Sequence, residues 1–278
     1  MFSSIKVSIG IPVYNGTKTI KVAIDSLIKQ THKNIELIIS DNNSCDDTFK
    51  ICSLYAKADE RIILFKQNST LSPADNFKFV FDQSVGEYFM WAAADDYWFP
   101  DFIKENLQNL QNKDQFAGSI SKVIFKDKSG NIYPSFADSE IAGSTLSRIK
   151  FFLNQPGDNS RIYSLFKRDY IKEIKFNNYR FHAADWFFIY KVLLKYRLTS
   201  TNEVLMCREK SDEFKYFRTH LEDNSNWITL GLPLFPFTLR VILCTPIFIL
   251  ICIIPELLKL NYRIYNRYRI MRVTKKNV

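Results

Sequence analysis

Val7, Ile9, Ile11 and Val13 alternate with small or polar residues, which is the period of a strand. Pro12 removes a backbone donor, so this strand ends there or turns its missing N–H toward a cavity. Asn15-Gly16 marks a turn, and Ile20, Ala23, Ile24, Leu27 and Ile28 then recur at helical spacing. Ile35–Ile39 is a short apolar run suited to a central parallel strand. Ser44 with Asp47 three residues on has the form of a capping box ahead of a helix carrying Ile51, Cys52 and Tyr55. Arg61–Phe65 reads as a third strand. Ser72-Pro73 gives a helix N-cap with proline at the first helical position, followed by Phe77, Val80 and Phe81 on one face. Glu87–Ala94 is apolar enough to be a strand buried on both faces, and Pro100 opens a helix with Ile103, Leu107 and Leu110 inward.

The pattern then changes. Ser119–Phe125 and Asn131–Tyr133 flank Lys128-Ser129-Gly130 as a hairpin would. Thr145–Leu153 and Ala184–Tyr196 read as helices, with a strand-like Arg161–Phe166 between them. Alternating βα units followed by mixed elements predict an α/β fold with a mostly parallel sheet. The C-terminal fifth differs again. Between Gly231 and Pro255 the only charge is Arg240, and Val241–Pro255 is uncharged but broken by Pro246. A membrane-spanning helix needs roughly 20 apolar residues. One C-terminal span, a monotopic or leaflet-dipping helix pair, and a buried core helix all remain open on this pattern. The expected division is a body over 1–228 and a hydrophobic, polybasic segment over 229–278.

Charge sharpens that division. Of the net +9 carried by 278 residues, +7 falls in residues 259–278, which hold Lys259, Arg263, Arg267, Arg269, Arg272, Lys275 and Lys276 and no acid. The remainder is nearly neutral, so no basic face is spread over the fold for nucleic acid, and none is expected as a partner. The tail suits an anionic membrane surface on the cytoplasmic side. The 24 Phe and 14 Tyr suggest a packed core and surfaces that meet sugars or lipid headgroups. Five cysteines with no CxxC pair, and a start that leads directly into a strand, predict a reduced cytosolic setting.

Asp95-Asp96 directly follow a buried strand. Adjacent carboxylates there are stable when a cation or ligand hydroxyls compensate them, and hard oxygen pairs suit magnesium or manganese on phosphates; a solvated loop start is the other reading. Asp41 ends the second strand, where open α/β sheets bind ligands, or else it caps a helix. Asp46-Asp47 suit capping and the helix dipole.

The block Val7–Thr48 together with AAADDYW and His182-Ala183-Ala184-Asp185-Trp186 resembles the inverting, non-processive enzymes of glycosyltransferase family 2, over roughly residues 5–215. The resemblance implies a GT-A fold, related to the Rossmann architecture, with membrane-associating helices appended. It implies that Pro12, Tyr14, Asn15, Asp41, Asn43 and Asp95 line a pocket for a nucleotide-diphospho-sugar donor. It assigns Asp96, with Asp95, to a divalent metal (manganese or magnesium), and Asp185 to the catalytic base. His182 would have a positioning or structural role. Four departures stand out: Ala93 or Ala94 where relatives carry a third acid, Asp75-Asn76 where an arginine is frequent near the diphosphate, Ala184 beside Asp185, and Lys210 where an R-x-H element has histidine, with His220 as a remote substitute. The Q-x-x-R-W motif of processive synthases is missing. The expected activity is transfer of one sugar to a saccharide acceptor, lipid-linked as in bacterial O-antigen or capsule assembly, at the cytoplasmic face of the cell membrane. Two other classes are a catalytically inactive membrane-bound scaffold and a sugar-nucleotide enzyme such as a nucleotidyltransferase. The latter would show a glycine-rich phosphate loop, which a chain with 8 Gly does not display.

Overall fold

The computed structural model describes residues 4–174, 181–210 and 232–276, with side chains through 270. Three βα units and a fourth strand open the chain: β1 (Val7–Val13), α1 (Ile20–Ile28), β2 (Ile35–Asp41), α2 (Thr48–Ala58), β3 (Ile62–Lys66), α3 (Pro73–Asp82) and β4 (Tyr88–Trp91). Then follow β5 (Tyr97–Trp98), α4 (Phe102–Leu110), β6 (Phe116–Lys126), β7 (Ile132–Pro134), α5 (Thr145–Asn154), β8 (Leu165–Lys167), α6 (Arg168–Ile171), α7 (Ala184–Lys195) and β9 (Arg197–Glu209). Helices α8 (Phe235–Cys244) and α9 (Ile247–Lys276) complete the described chain.

One mixed sheet runs β3-β2-β1-β4-β8-β6-β9-β5, with β7 paired to β6. β3, β2, β1 and β4 are parallel, and β6 pairs parallel with β9. The joints β4–β8, β8–β6, β9–β5 and β6–β7 are antiparallel, so the sheet is mixed and less uniformly parallel than the sequence predicts. For β6 and β7 the reason is connection length: parallel neighbours need a crossover of about a dozen residues or more, and the turn between these two strands is too short for one.

β1 and β2 are buried along nearly their whole length, as the central strands of such a sheet must be. Of the inward residues read from α1 and α4, Ile20, Ala23, Ile24, Leu27, Ile103, Leu107 and Leu110 are buried, and Ile28 is half-buried. Trp91 sits on β4 amid Phe89, Phe166 and Phe188, with edge-to-face ring pairs to each. This aromatic knot joins the parallel half of the sheet to its mixed half. Two local expectations change. Arg161–Phe166 is no continuous strand: a 3-10 turn at Ser160–Tyr163 precedes β8, entered through left-handed Asn159. Ser44 and Asp47 form no capping box, because the Ser44 hydroxyl accepts the Asn15 N–H instead.

The boundary expected after residue 228 lies outside the described residues, as does His220. Beyond it, α8 and α9 pack on the body. Phe237, Val241, Ile253 and Leu260 are buried in the common core. Phe237 meets the rings of Phe187 and Tyr190 on α7, and Arg263 donates to the last carbonyls of α5, at Leu153 and Asn154. None of the described helices is long and apolar enough to cross a membrane, which removes the C-terminal span from the alternatives. The run breaks at Thr245-Pro246, and Glu256, Lys259 and Arg263 interrupt α9. Ile242, Leu243, Ile247, Phe248, Ile251 and Leu258 nevertheless face outward. All five cysteines are free; Cys45 and Cys252 are exposed, and Cys52 is buried.

Candidate active site

Residues from the carboxyl ends of β1, β2 and β4 converge. In register, Pro12 faces Ser40 and Val13 faces Asp41. The loop after β1 is clasped by the loop after β2: Asn15 N–H donates to Ser44 Oγ at 2.9 Å, Gly16 N–H to Thr48 Oγ1 at 2.8 Å, and Cys45 N–H to Asn15 Oδ1 at 3.0 Å. Asn15 and Asn43 both adopt left-handed backbone, which asparagine tolerates better than most residues. Asn15 thus holds the loop, while Tyr14 and Asn43 are exposed beside it. Burial would raise the Asp46 carboxyl, but hydrogen bonds from Thr17 and Thr48 bring it down to about 2. Asp46 therefore stays ionised as the clasp.

Asp41 is fully buried at the end of β2. Its Oδ2 accepts the Ser44 N–H at 3.2 Å. Its Oδ1 is buried and has no hydrogen-bond partner among the described residues. A buried acceptor without a donor costs about 1–3 kcal/mol, which a ligand N–H would recover. Asn76 buttresses this strand end through two hydrogen bonds to Ser40. Asp75, at the position where relatives favour arginine, forms part of the α3 N-cap with Ser72.

The loop after β4 brings Asp95 to the surface and turns Asp96 inward, where it is 3% exposed. Asp96 Oδ2 accepts from Arg208 Nε at 3.2 Å and Oδ1 from the Glu209 N–H at 3.3 Å. Burial lifts the Asp96 carboxyl against the pull of Arg208. The guanidinium is fixed between the rings of Tyr163 and Phe125, at 4.8 and 5.1 Å, and donates to the Asp158 carbonyl at 2.9 Å. The cation compensating Asp96 is therefore an arginine of the chain itself. Among the described residues no group of three or more His, Cys, Asp or Glu side chains comes together. Asp95 shares its cleft with the carboxylates of Asp127 and Glu209 and with Lys126, Lys128 and Arg208. With three cations beside three acids, the described residues offer no donor set that fits a resident divalent metal.

Asp185 lies in the first turn of α7, behind left-handed Ala183. Burial pushes its carboxyl up to about 6, opposed by the Trp186 N–H at 2.8 Å and by Arg208. Burial raises the Tyr163 phenol, opposed by Arg208, and the charges of Asp96, Asp95 and Asp185 raise it further. His182 Nε2 and Tyr268 Oη of α9 are 3.1 Å apart, a structural tie rather than a place in the cleft. The loop after β1 closes onto the loop after β4 as well: a Cβ built on Gly16 would sit 3.7 Å from Ala94 Cβ.

Residues 8–175 match the family model described as Glycosyl transferase family 2. The chain belongs to glycosyltransferase family 2. A family 2 relative of Campylobacter jejuni, the GalNAc(5)-diNAcBac-PP-undecaprenol beta-1,3-glucosyltransferase, is 27% identical over 236 residues, covering 78% of this chain and 72% of that protein. An uncharacterised glycosyltransferase of Rickettsia typhi is 40% identical over 111 residues, and that match spans 39% of this chain and only 34% of the relative's length. The Staphylococcus aureus TarS 1-349 structure in complex with UDP superposes with a TM-score of 0.58 at 20% identity, over 77% of this chain and 62% of that one. That likeness shows the fold, an α/β GT-A architecture with a curled mixed sheet.

Sequence reasoning singled out Asp41, Asp95, Asp96 and Asp185, and it did not single out Arg208, Tyr163 or the lysines of the cleft. Arg208 was visible in Cys207-Arg208-Glu209-Lys210, yet the segment carried a signal only through its missing histidine. Tyr163 had none, because it sits in a turn that reads as strand.

Proposed function

We propose that the protein transfers a single sugar, with inversion, from a nucleoside-diphosphate sugar to a hydroxyl of a lipid-linked saccharide at a membrane surface. One observation carries this reading: a half-buried carboxyl at the start of α7, raised to about 6 by burial, lies within electrostatic reach of Arg208, the residue that holds Asp96 of the β4 loop. The unpartnered oxygen of Asp41 supports a nucleobase N–H at the carboxyl end of β2. Asp185 takes the acceptor hydroxyl's proton as its oxygen attacks the anomeric carbon. The bond to the diphosphate breaks and its electron pair leaves with that group. Asp95 and the β1 loop bound the donor. The Campylobacter relative's name, an undecaprenol-linked glucosyltransferase, supports the lipid-linked acceptor.

The membrane part of the reading rests on α8 and α9. Leu243 is 75% and Phe248 68% exposed where the two helices meet, ahead of the cationic tail. An apolar face flanked by arginines and lysines lies in an interface rather than across it.

The experiment is a calorimetric screen of UDP, GDP, dTDP and CDP, followed by transfer from the matching sugar nucleotides to a synthetic polyprenyl-diphosphate sugar. Binding of one nucleotide, and transfer that Asp185→Asn lowers by about 10²–10⁴-fold, are expected. Absence of nucleotide binding by folded protein would instead support an inactive scaffold.

A further inference from the structure

The chain between α5 and β8 is held in a turn that its own residues do not favour. Arg161, 2% exposed, donates to the Pro156 carbonyl at 3.1 Å and to Ser139 Oγ at 3.3 Å. Gly157, at a φ of +79°, lies so close to Ala137 that an added Cβ would sit 2.3 Å from the Ala137 Cβ. The Asp158 carboxylate accepts from Ser135 Oγ at 2.9 Å, from the Phe136 N–H at 3.0 Å and from Ser160 Oγ at 2.6 Å. Asn159 follows in left-handed backbone, with a φ of 65°. A residue other than glycine rarely takes that conformation, and it persists where the surroundings fix it.

Asn159 stands between the two residues of this turn that Arg208 touches. Arg208 Nη1 donates to the Asp158 carbonyl at 2.9 Å and to Ser160 Oγ at 3.1 Å, while its Nε donates to Asp96. One side chain therefore bridges the turn to the β4 loop. The 3-10 turn that begins at Ser160 packs against β4 and against α7, which carries Asp185 in its first turn. Asn159 Oδ1 is buried and has no hydrogen-bond partner among the described residues. Buried acceptors are nearly always met by a donor, so the missing one belongs to a bound molecule or to water. The chemistry of the group narrows that molecule. A diphosphate at neutral pH offers acceptors and no donor, and a hard cation favours carboxylates over one neutral amide. A sugar hydroxyl supplies the proton that the amide oxygen lacks.

We propose that Asn159 is a sugar-binding residue of the reaction centre, its side-chain oxygen accepting from one hydroxyl of the transferred sugar or of the acceptor sugar. This rests on the glycosyl-transfer reading above. Arg161 and Asp158 hold the turn, and Arg208 sets it against Asp96.

The test is Asn159→Gly, which keeps the left-handed backbone and removes the amide. Its melting temperature should fall by no more than about 4 °C. Its calorimetric affinity for UDP, or for GDP if native protein prefers guanine, should stay within about twofold of native. Transfer to the synthetic polyprenyl-diphosphate sugar then separates the two sources. A KM raised about tenfold for that acceptor alone assigns the hydroxyl to the acceptor, and the same rise for the sugar nucleotide alone assigns it to the transferred sugar. Deoxy analogues of the assigned sugar need no variant: the one lacking the bonded hydroxyl should cost native protein the same factor and cost Asn159→Gly nothing more. Unchanged KM for both substrates would overturn the proposal, leaving the oxygen to water and the donor site standing, as would a loss confined to UDP or GDP affinity. Binding of no nucleotide by native protein would remove the donor site and this proposal together.

Discussion

At Asp185 the fold and the chemistry pull against each other. Burial raises its carboxyl from 3.8 to about 6. Between those values the folded chain holds a proton that the unfolded chain releases, so stability falls as pH rises through this window and the loss is complete above about 6. The ionised group therefore weakens the fold at neutral pH. Asp185→Asn should raise stability at pH 7 by about 1–2 kcal/mol, discounted for partial exposure from the ~1.4 kcal/mol per pKa unit. The gain should vanish below about pH 4, which melting curves at the two pH values would check. Native kcat/KM should climb with pH through about 6, the profile of a base that must be ionised. Asp185 was legible because it opens a helix within a short motif, and Asp41 because it ends an apolar run. The Arg208–Asp96 pair was not, since it joins residues 112 apart and leaves no local pattern.

Among the elements, those with a regular period were read correctly and those without were not. The Ser72-Pro73 start formed as its chemistry dictates, with the Ser72 hydroxyl accepting the Asp75 N–H. β9 was missed because its middle, at Asn202–Val204, is exposed and polar, and bulges shift its register with β6. Its partner β6 is also where the two halves of the sheet are joined. Gly118 there faces Phe166 so closely that an added Cβ would lie 2.7 Å from the ring and 3.1 Å from the Leu165 carbonyl. Phe166 is fully buried and cannot swing away. Gly118→Ala should destabilise the protein by about 1–3 kcal/mol through overpacking, measurable as a lower urea midpoint at unchanged slope. Retained stability would mean that β8 yields, and that the seam is softer than its packing implies.

For the whole molecule, the C-terminal helices are part of the body rather than a detachable anchor. α8 meets α7, the helix that begins beside Asp185, and the Tyr190 and Thr245 hydroxyls lie 2.6 Å apart. α9 caps α5 through Arg263 and pairs Glu256 with Lys150 at 3.7 Å. Cutting the chain at 230 would bare the surfaces under Phe237, Val241 and Ile253, so point changes on the outer face separate docking from folding. Leu243→Asp with Phe248→Asp should lower affinity for vesicles of anionic phospholipid by more than about tenfold, each apolar side chain being worth roughly 1.5–3 kcal/mol on burial. Nucleotide binding should be unaffected. Added salt should weaken native binding too, because the tail's attraction is screened. Equal pelleting of native and doubly substituted protein would remove the interfacial reading.

The free cysteines give the molecule a use beyond its chemistry. Burial raises the thiols of Cys207 and Cys244 and pushes Cys52 up to about 12, which keeps these three largely as unreactive thiols. The two exposed ones stand at opposite functions, Cys45 on the loop that clasps Asn15 and Cys252 on the outward face of α9. A maleimide dye would thus mark the loop after β2 and the outward face of α9 without any mutation, and shielding of each mark would report which end of the protein a given ligand or vesicle has reached.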